Sequence, residues 1–253
     1  MRAAQTQLRQ QGFYFGDPNG IYNDQTAAAV TRYQIRHGLQ ITGQLDAPTA
    51  KALGTRPLPP TSEGSPPSMS GTWRQLRNGE QQFVPAQPHS LPKVSSPAPR
   101  PPSEPSYQSA PPPPIATPGL VTRRDSDKSF GRERLRDYVG AFVLAGLDPK
   151  VGAELEFFAD RVDYFDDGKL SREKIRRDLL RYDARWPERR FWLAGDLEVR
   201  SESNRRLRVG FPLRYELQNR SERASGTVRK TLVLEKTANN NLEIVAVNEK
   251  KIR

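Results

Sequence analysis

The sequence predicts an α+β protein of several parts: a small helical region, a disordered spacer, and a larger region in which helices are followed by an antiparallel sheet. Three observations carry this. Of the 23 prolines, 18 fall in the 63 residues from Pro57 to Gly119. Upstream of that stretch, apolar residues keep helical spacing. Downstream, helical spacing gives way to a long alternation of apolar and polar residues from Arg206 to Gln218. Proline lacks the backbone N–H and fixes φ, and the apolar residues among the prolines are scattered, so burial there cannot offset the entropy of ordering the chain. Folding is therefore expected on either side, in residues 1–56 and 120–253, the latter with a core over about 130–250.

The first region is near the lower size limit for a domain without staples, and the second can bury an ordinary core. No cysteine is present, which excludes disulfides, thiolate zinc sites and a cysteine nucleophile. The net charge of +11 divides as +3, +1 and +7 over the three segments. Basic pairs such as Arg176-Arg177 and Arg205-Arg206 sit among acids, not in a concentrated arm or helix. That pattern argues against nucleic acid and suits attraction to anionic polymers. No apolar run approaches the roughly 18 residues of a membrane span, and Met1-Arg2-Ala3-Ala4-Gln5 lacks the apolar core of a signal peptide.

In residues 1–56, Leu8 belongs to a short helix closed by Gly12. Asp17-Pro18-Asn19-Gly20 is turn chemistry. A second helix runs from Asp24, read as its N-cap, to Arg36, with Ala27, Val30, Tyr33 and Gln34 on one side and Gly38 ending it. A third is capped by Asp46, with Pro48 in its first turn and Leu53 reaching the core.

Gly12-Phe13-Tyr14, Asn19-Gly20-Ile21-Tyr22, Gln25 to Val30, Tyr33-Gln34, His37-Gly38-Leu39 and Thr42-Gly43 together resemble the peptidoglycan-binding type 1 domain, a three-helix module, over Met1 to about Leu53. Asn19 stands where the family usually has aspartate, and Asn23 where it has glycine; both tolerate left-handed backbone. The resemblance implies peptidoglycan as partner and a place in the bacterial cell envelope or periplasm. It also puts Met1 inside the first helix, so a start further upstream, with an export signal or anchor, is expected. Flat exposed rings suit sugar faces and peptide stems, which selects Tyr14 and Tyr22, with Asn19 beside them. Gln34 is read as bonding loop backbone, and His37 as a helix C-terminal residue and not a metal ligand. No metal or cofactor is expected.

Within the spacer, Trp73 to Val84 forms an apolar island around Asn78-Gly79, and the Asn-Gly pair predicts a hairpin or small docking motif there. Further on, Leu135, Tyr138, Val139, Phe142 and Val143 predict an amphipathic helix ended by Gly146. Asp148-Pro149 reads as the start of a second helix burying Val151, Leu155 and Phe158. Val162 and Tyr164 mark a short strand, and Ser171 begins a third helix with Ile175, Leu179, Tyr182 and Trp186, stopped by Pro187. Four strands follow, near Phe191–Val199, Arg206–Gln218, Thr227–Lys236 and Leu242–Asn248. Pro212 requires a bulge or an edge in the second of them.

This order, with Phe157 to Tyr164 and Tyr182 to Pro187, resembles the cone-shaped nuclear transport factor 2-like (SnoaL-like) superfamily, from about Phe130 to Lys250. The resemblance implies a cone with a curved antiparallel sheet and about three helices, and it does not imply one activity. In its steroid-isomerase branch a tyrosine and two carboxyls move a proton. Tyr138 and Asp166 match two of these places, but the third lacks a candidate and the region has no histidine. An EF-hand count from Asp163 fails at Phe165 and Lys174. The aromatics Tyr138, Phe142, Tyr164, Tyr182, Trp186, Phe211 and Tyr215 are read as lining or filling the cone mouth.

The reading is a non-catalytic wall-binding protein that tethers a cone able to bind a small ligand or protein, with a homodimer through its sheet as one arrangement. The alternative is a wall-anchored enzyme or small-molecule receptor using the cone pocket for isomerase-like proton transfer.

Overall fold

The computed structural model describes residues 1–55, 68–79, 131–148, 150, 152–239 and 241–252, and all of them belong to one compact unit. Most of the proline-rich spacer, including Phe83 and Val84, lies outside the described residues, as does 120–130.

Three helices open the chain: α1 (Arg2–Gln10), α2 (Asp24–Arg36) and α3 (Ala47–Ala52). The α2 cap is Asn23, one residue ahead of the expected Asp24, and its side chain accepts from Thr26 N at 2.9 Å. Asp46 caps α3 as expected, accepting from Thr49 N at 2.9 Å. Two buried glutamines organise the loops. The Gln5 side chain donates to Ile21 O at 2.9 Å and accepts from Gly20 N at 2.7 Å. Gln34 donates to Gln44 O and accepts from Thr42 N and Gly43 N. Leu8, Tyr14, Ala29, Val30, Tyr33 and Leu53 share a small core.

The hairpin expected at Trp73 is instead a helix, α4 (Met69–Asn78). Ser68 caps it by accepting from Gly71 N at 2.8 Å. Gly79, at φ 67°, closes it, so the Asn78-Gly79 pair serves a helix end and not a two-residue turn. Arg134 donates to the carbonyls of Leu76 and Arg77 in its last turn. Trp73 and Leu76, one turn apart, are completely buried.

Helix α5 (Arg132–Ala145) follows the expected spacing and ends at Gly146. The second helix expected from Asp148 does not form. Asp148 accepts from Ser70, Trp73 and Lys150 N, Gly152 is left-handed at φ 81°, and only a 3-10 helix (Ala153–Phe157) follows. Next come β1 (Phe158–Tyr164), a 3-10 turn (Phe165–Asp167), β2 (Lys169–Ser171) and α6 (Arg172–Arg185). The region expected as one strand near Phe191–Val199 is two, β3 (Glu188–Leu193) and β4 (Glu198–Ser201). Then β5 (Arg206–Gln218), β6 (Arg223–Lys236) and β7 (Leu242–Ile252) complete the curved sheet. Its order is β2-β1-β7-β6-β5-β3, with β4 also on β5, and β1 runs parallel to β7. Pro212 falls where the neighbour of β5 changes from β4 to β3. Its carbonyl accepts from Ala194 N, so its nitrogen faces the same break and costs no ladder bond.

The two helical regions are not held apart. Ala28, Ile35 and Ile41 belong to the same core as Trp73, Leu76, Leu144, Phe157 and the sheet residues. A Cβ at Gly140 would overlap Ile35 Cδ1, and one at Gly71 would overlap the Asp24 carboxylate, so α2 lies hard against both α5 and α4. Helix α2 is apolar on two sides because it serves two cores, and a helix apolar around its circumference is a buried one. Among the described residues, helices before and after the spacer contribute to this one core.

Candidate functional site

Between α5, α6 and the sheet lies a cavity of about 370 Å³, its wall mostly apolar. Of the aromatics singled out in the sequence, Phe142, Tyr164, Tyr182 and Tyr215 line it, joined by Phe158, Phe165 and Phe191. Tyr138, Trp186 and Phe211 do not. Tyr138 is sunk in the core with its hydroxyl donating to Leu242 O at 3.0 Å and its ring edge-on to Phe157. Phe211 is fully buried, and Trp186 closes the end of α6 with Arg185 over its ring. Asp166 is exposed on the 3-10 turn, away from the cavity wall, so Tyr138 and Asp166 do not form a pair there.

The cavity has polar groups that the sequence reading missed. Glu154 is only 8% exposed and lines the space next to Gly146. Burial pushes its carboxyl up, and the charges of Arg189 and Lys230 only partly offset this. A 3-10 helix repeats every three residues, so Glu154 shares the inward side with Phe157. Tyr164 donates to Asp178 Oδ2 at 3.1 Å; burial, then the Asp178 charge, raise its hydroxyl pKa. Burial pushes Tyr182 up to about 12. Lys230 pairs with Glu249 at 3.3 Å on the same rim. An apolar space with one buried carboxyl and several phenols suits a small, largely apolar ligand with a few polar groups.

Because the folded state raises the Glu154 pKa, the stability linked to its proton is fully present below the ordinary glutamate range, about pH 4.3, and is lost as pH rises through the folded value. Glu154→Gln is therefore expected to exceed the parent in stability at pH 7 by about 1 kcal/mol, with the gap closing near pH 4. Urea unfolding at the two pH values measures this. An equal effect at both would mean that the proton is not the cause.

In the N-terminal module Tyr14 is 2% exposed, with its hydroxyl donating to Asp17 O at 3.2 Å, so it offers no open ring. Tyr22 is half-buried and donates to Gly43 O at 2.5 Å; burial raises its pKa. Asn19 is exposed, its Oδ1 accepting from Ile21 N and Gln5. The same α1–α2 loop exposes two large apolar side chains that the sequence reading passed over, Phe15 and Ile21. The Arg32 guanidinium lies over the Phe15 ring.

No helix of the described residues is long and apolar enough to cross a membrane. No curated protein matches the chain. Among solved structures it is similar to a "Putative calcium/calmodulin dependent protein kinase II association domain" from Xanthomonas campestris, at 13% identity over 49% of this chain and 89% of that one, TM-score 0.42. It is similar to a ketosteroid isomerase-like protein from Erwinia carotovora, at 12% identity over 44% and 88%, TM-score 0.37. A nuclear transport factor 2-like superfamily protein from Salmonella enterica gives 12% identity over 44% and 78%, TM-score 0.35. Residues 1–53 match the family described as "Putative peptidoglycan binding domain".

Proposed function

We propose that this is a cell-wall binding protein of the bacterial envelope, whose N-terminal module contacts peptidoglycan and whose C-terminal domain holds a small ligand. The family match over residues 1–53 carries the first part. Its loop geometry supports it: Gln5 fixes the α1–α2 connection from inside, and that loop presents Phe15, Ile21 and Asn19 outward. Apolar side chains on a fixed loop can cover sugar faces at little entropic cost. In this reading Tyr14 and Tyr22 shape the loop, and Asn19 remains a polar contact.

Cosedimentation of the full chain with purified, insoluble peptidoglycan tests this. Enrichment over a charge-matched control protein is expected, with Phe15→Ala/Ile21→Ala weakening it about tenfold, equivalent to ~1.4 kcal/mol. Absence of enrichment would remove the proposal. The Glu154-lined cavity favours a small-molecule receptor over a purely structural second domain. The two modules share a core, so the ligand site is held on the wall-binding module directly and not at the end of a leash.

A further inference from the structure

A second concave site lies where the end of α2 meets β3, a groove of about 390 Å³ lined by residues of both modules, Ile35 and Arg36 from the first and Arg136, Trp192, Asp196 and Arg214 from the second among them. Its polar side is guanidinium. Arg136 is 6% exposed; one Nη donates to Asp196 Oδ1 at 2.5 Å, while its enclosed Nε has no hydrogen-bond partner among the described residues. A buried donor left without a partner is uncommon and costly. Arg36 pairs with Glu133 at 2.7 Å and Arg214 with Glu216 at 2.6 Å. A guanidinium has five N–H donors, so each retains donors beyond its ion pair. Asp196 is the one carboxylate among the described lining residues. Arg136, then Arg132 and Arg36, hold it below the usual carboxylate range. Arg132, close enough to act on Asp196, joins Arg36, Arg136 and Arg214, so four guanidinium groups face the three carboxylates Asp196, Glu133 and Glu216, and the local field is positive. Trp192 supplies a flat ring, with Arg214 lying 4.6 Å from its centroid.

Resting on the peptidoglycan reading above, we infer that this groove is a second contact for the wall polymer and takes its acidic peptide stem. A stem carboxylate meets the planar forks of Arg36, Arg136 and Arg214, which match carboxylate geometry in a way that lysine does not, and the adjoining sugar or side chain lies against Trp192. The site exists only when both modules are packed together, because neither supplies both the ring and all three guanidinium groups. The first module then reads the wall through its α1–α2 loop, and the junction reads the charge of the stem.

The test titrates the full chain with a soluble muramyl tripeptide, using tri-N-acetylglucosamine as an uncharged control, by calorimetry at low and high salt. The tripeptide is expected to bind more tightly than the control, with an affinity that falls as salt rises. Trp192→Ala and Arg214→Gln are each expected to weaken it about tenfold while leaving thermal unfolding close to that of the parent. Unchanged tripeptide affinity in both variants overturns the groove, as does equal binding of the uncharged sugar. Cosedimentation with insoluble wall separates the two readings. Sedimentation that depends on Phe15 and Ile21 but not on Trp192 or Arg214 leaves the wall-binding function standing and removes only the groove. A parent chain that binds neither wall nor tripeptide removes both.

Discussion

Trp73→Ala is expected to destabilise the whole unit by about 3–5 kcal/mol, the cost of emptying the place of a buried tryptophan. This is a large share of the 5–15 kcal/mol by which a domain is ordinarily stable. The residue sits inside the proline-rich segment, where the sequence predicts no more than a hairpin or small docking motif. Instead it is 0% exposed, its ring centroid is 5.5 Å from that of Phe157, and its Nε1 donates to Asp148 Oδ2 at 2.8 Å. Burial raises the Asp148 pKa, but hydrogen bonds from Ser70, Trp73 and Lys150 N outweigh it and hold the carboxyl below its ordinary value. Stability from that carboxylate is present above the unfolded aspartate pKa, about 3.9, and is lost as pH falls through the folded value. Trp73→Phe keeps a ring and loses the N–H, so it should cost less, about 1–2 kcal/mol, with a smaller dependence on acid. Urea unfolding followed by circular dichroism measures both. A loss below about 1 kcal/mol for the alanine variant would mean that α4 is not part of the core.

The misreading of α4 has a physical origin. Asn-Gly between apolar flanks is a hairpin signal, but glycine at positive φ also ends helices, and the local sequence does not distinguish the two uses. The distinguishing features were Ser68 three residues ahead of Gly71 as a cap, and Trp73 with Leu76 one turn apart. Both are weak without a partner, and the partner, α5, comes more than fifty residues later. Elements whose evidence is local were legible. The alternation through β5 was one, as was the Asp46 cap of α3. The break at Pro212 followed from its missing donor. The sharing of α2 between two cores was visible only in part: Ala27 to Val30 with Tyr33 and Ile35 leaves little polar surface, yet the sequence does not say what covers the second side. For the cavity, composition showed that aromatics were plentiful but not which of them face it, because sheet curvature and a 3-10 turn set that. Glu154 was lost for the same reason.

Arg32→Met is the second large effect, expected at about 3–5 kcal/mol, because it removes one partner of a buried ion pair and leaves the other behind. Arg32 Nε meets Asp137 Oδ2 at 2.9 Å, joining α2 of the first module to α5 of the second, with side-chain exposures of 4% and 17%. Burial raises the Asp137 pKa even with Arg32 opposing it through its charge and hydrogen bond. The stability linked to that proton is thus fully present below the ordinary aspartate range and is lost as pH rises through the folded value. Without Arg32 the folded value climbs further. The deficit of the variant should therefore widen as pH rises from the ordinary aspartate range, about 3.9, toward neutrality, because the charged form of the buried carboxyl has lost its hydrogen-bonded partner. Arg32→Met/Asp137→Leu should recover most of the loss, since apolar side chains of similar volume often replace a buried pair at little cost. Chemical unfolding of the three proteins at pH 4 and pH 7 measures the effect. If the double variant is as unstable at neutral pH as Arg32→Met, then the stranded carboxylate is not the cost, and the loss lies in the other contacts of the Arg32 guanidinium, with Phe13 O and over the Phe15 ring.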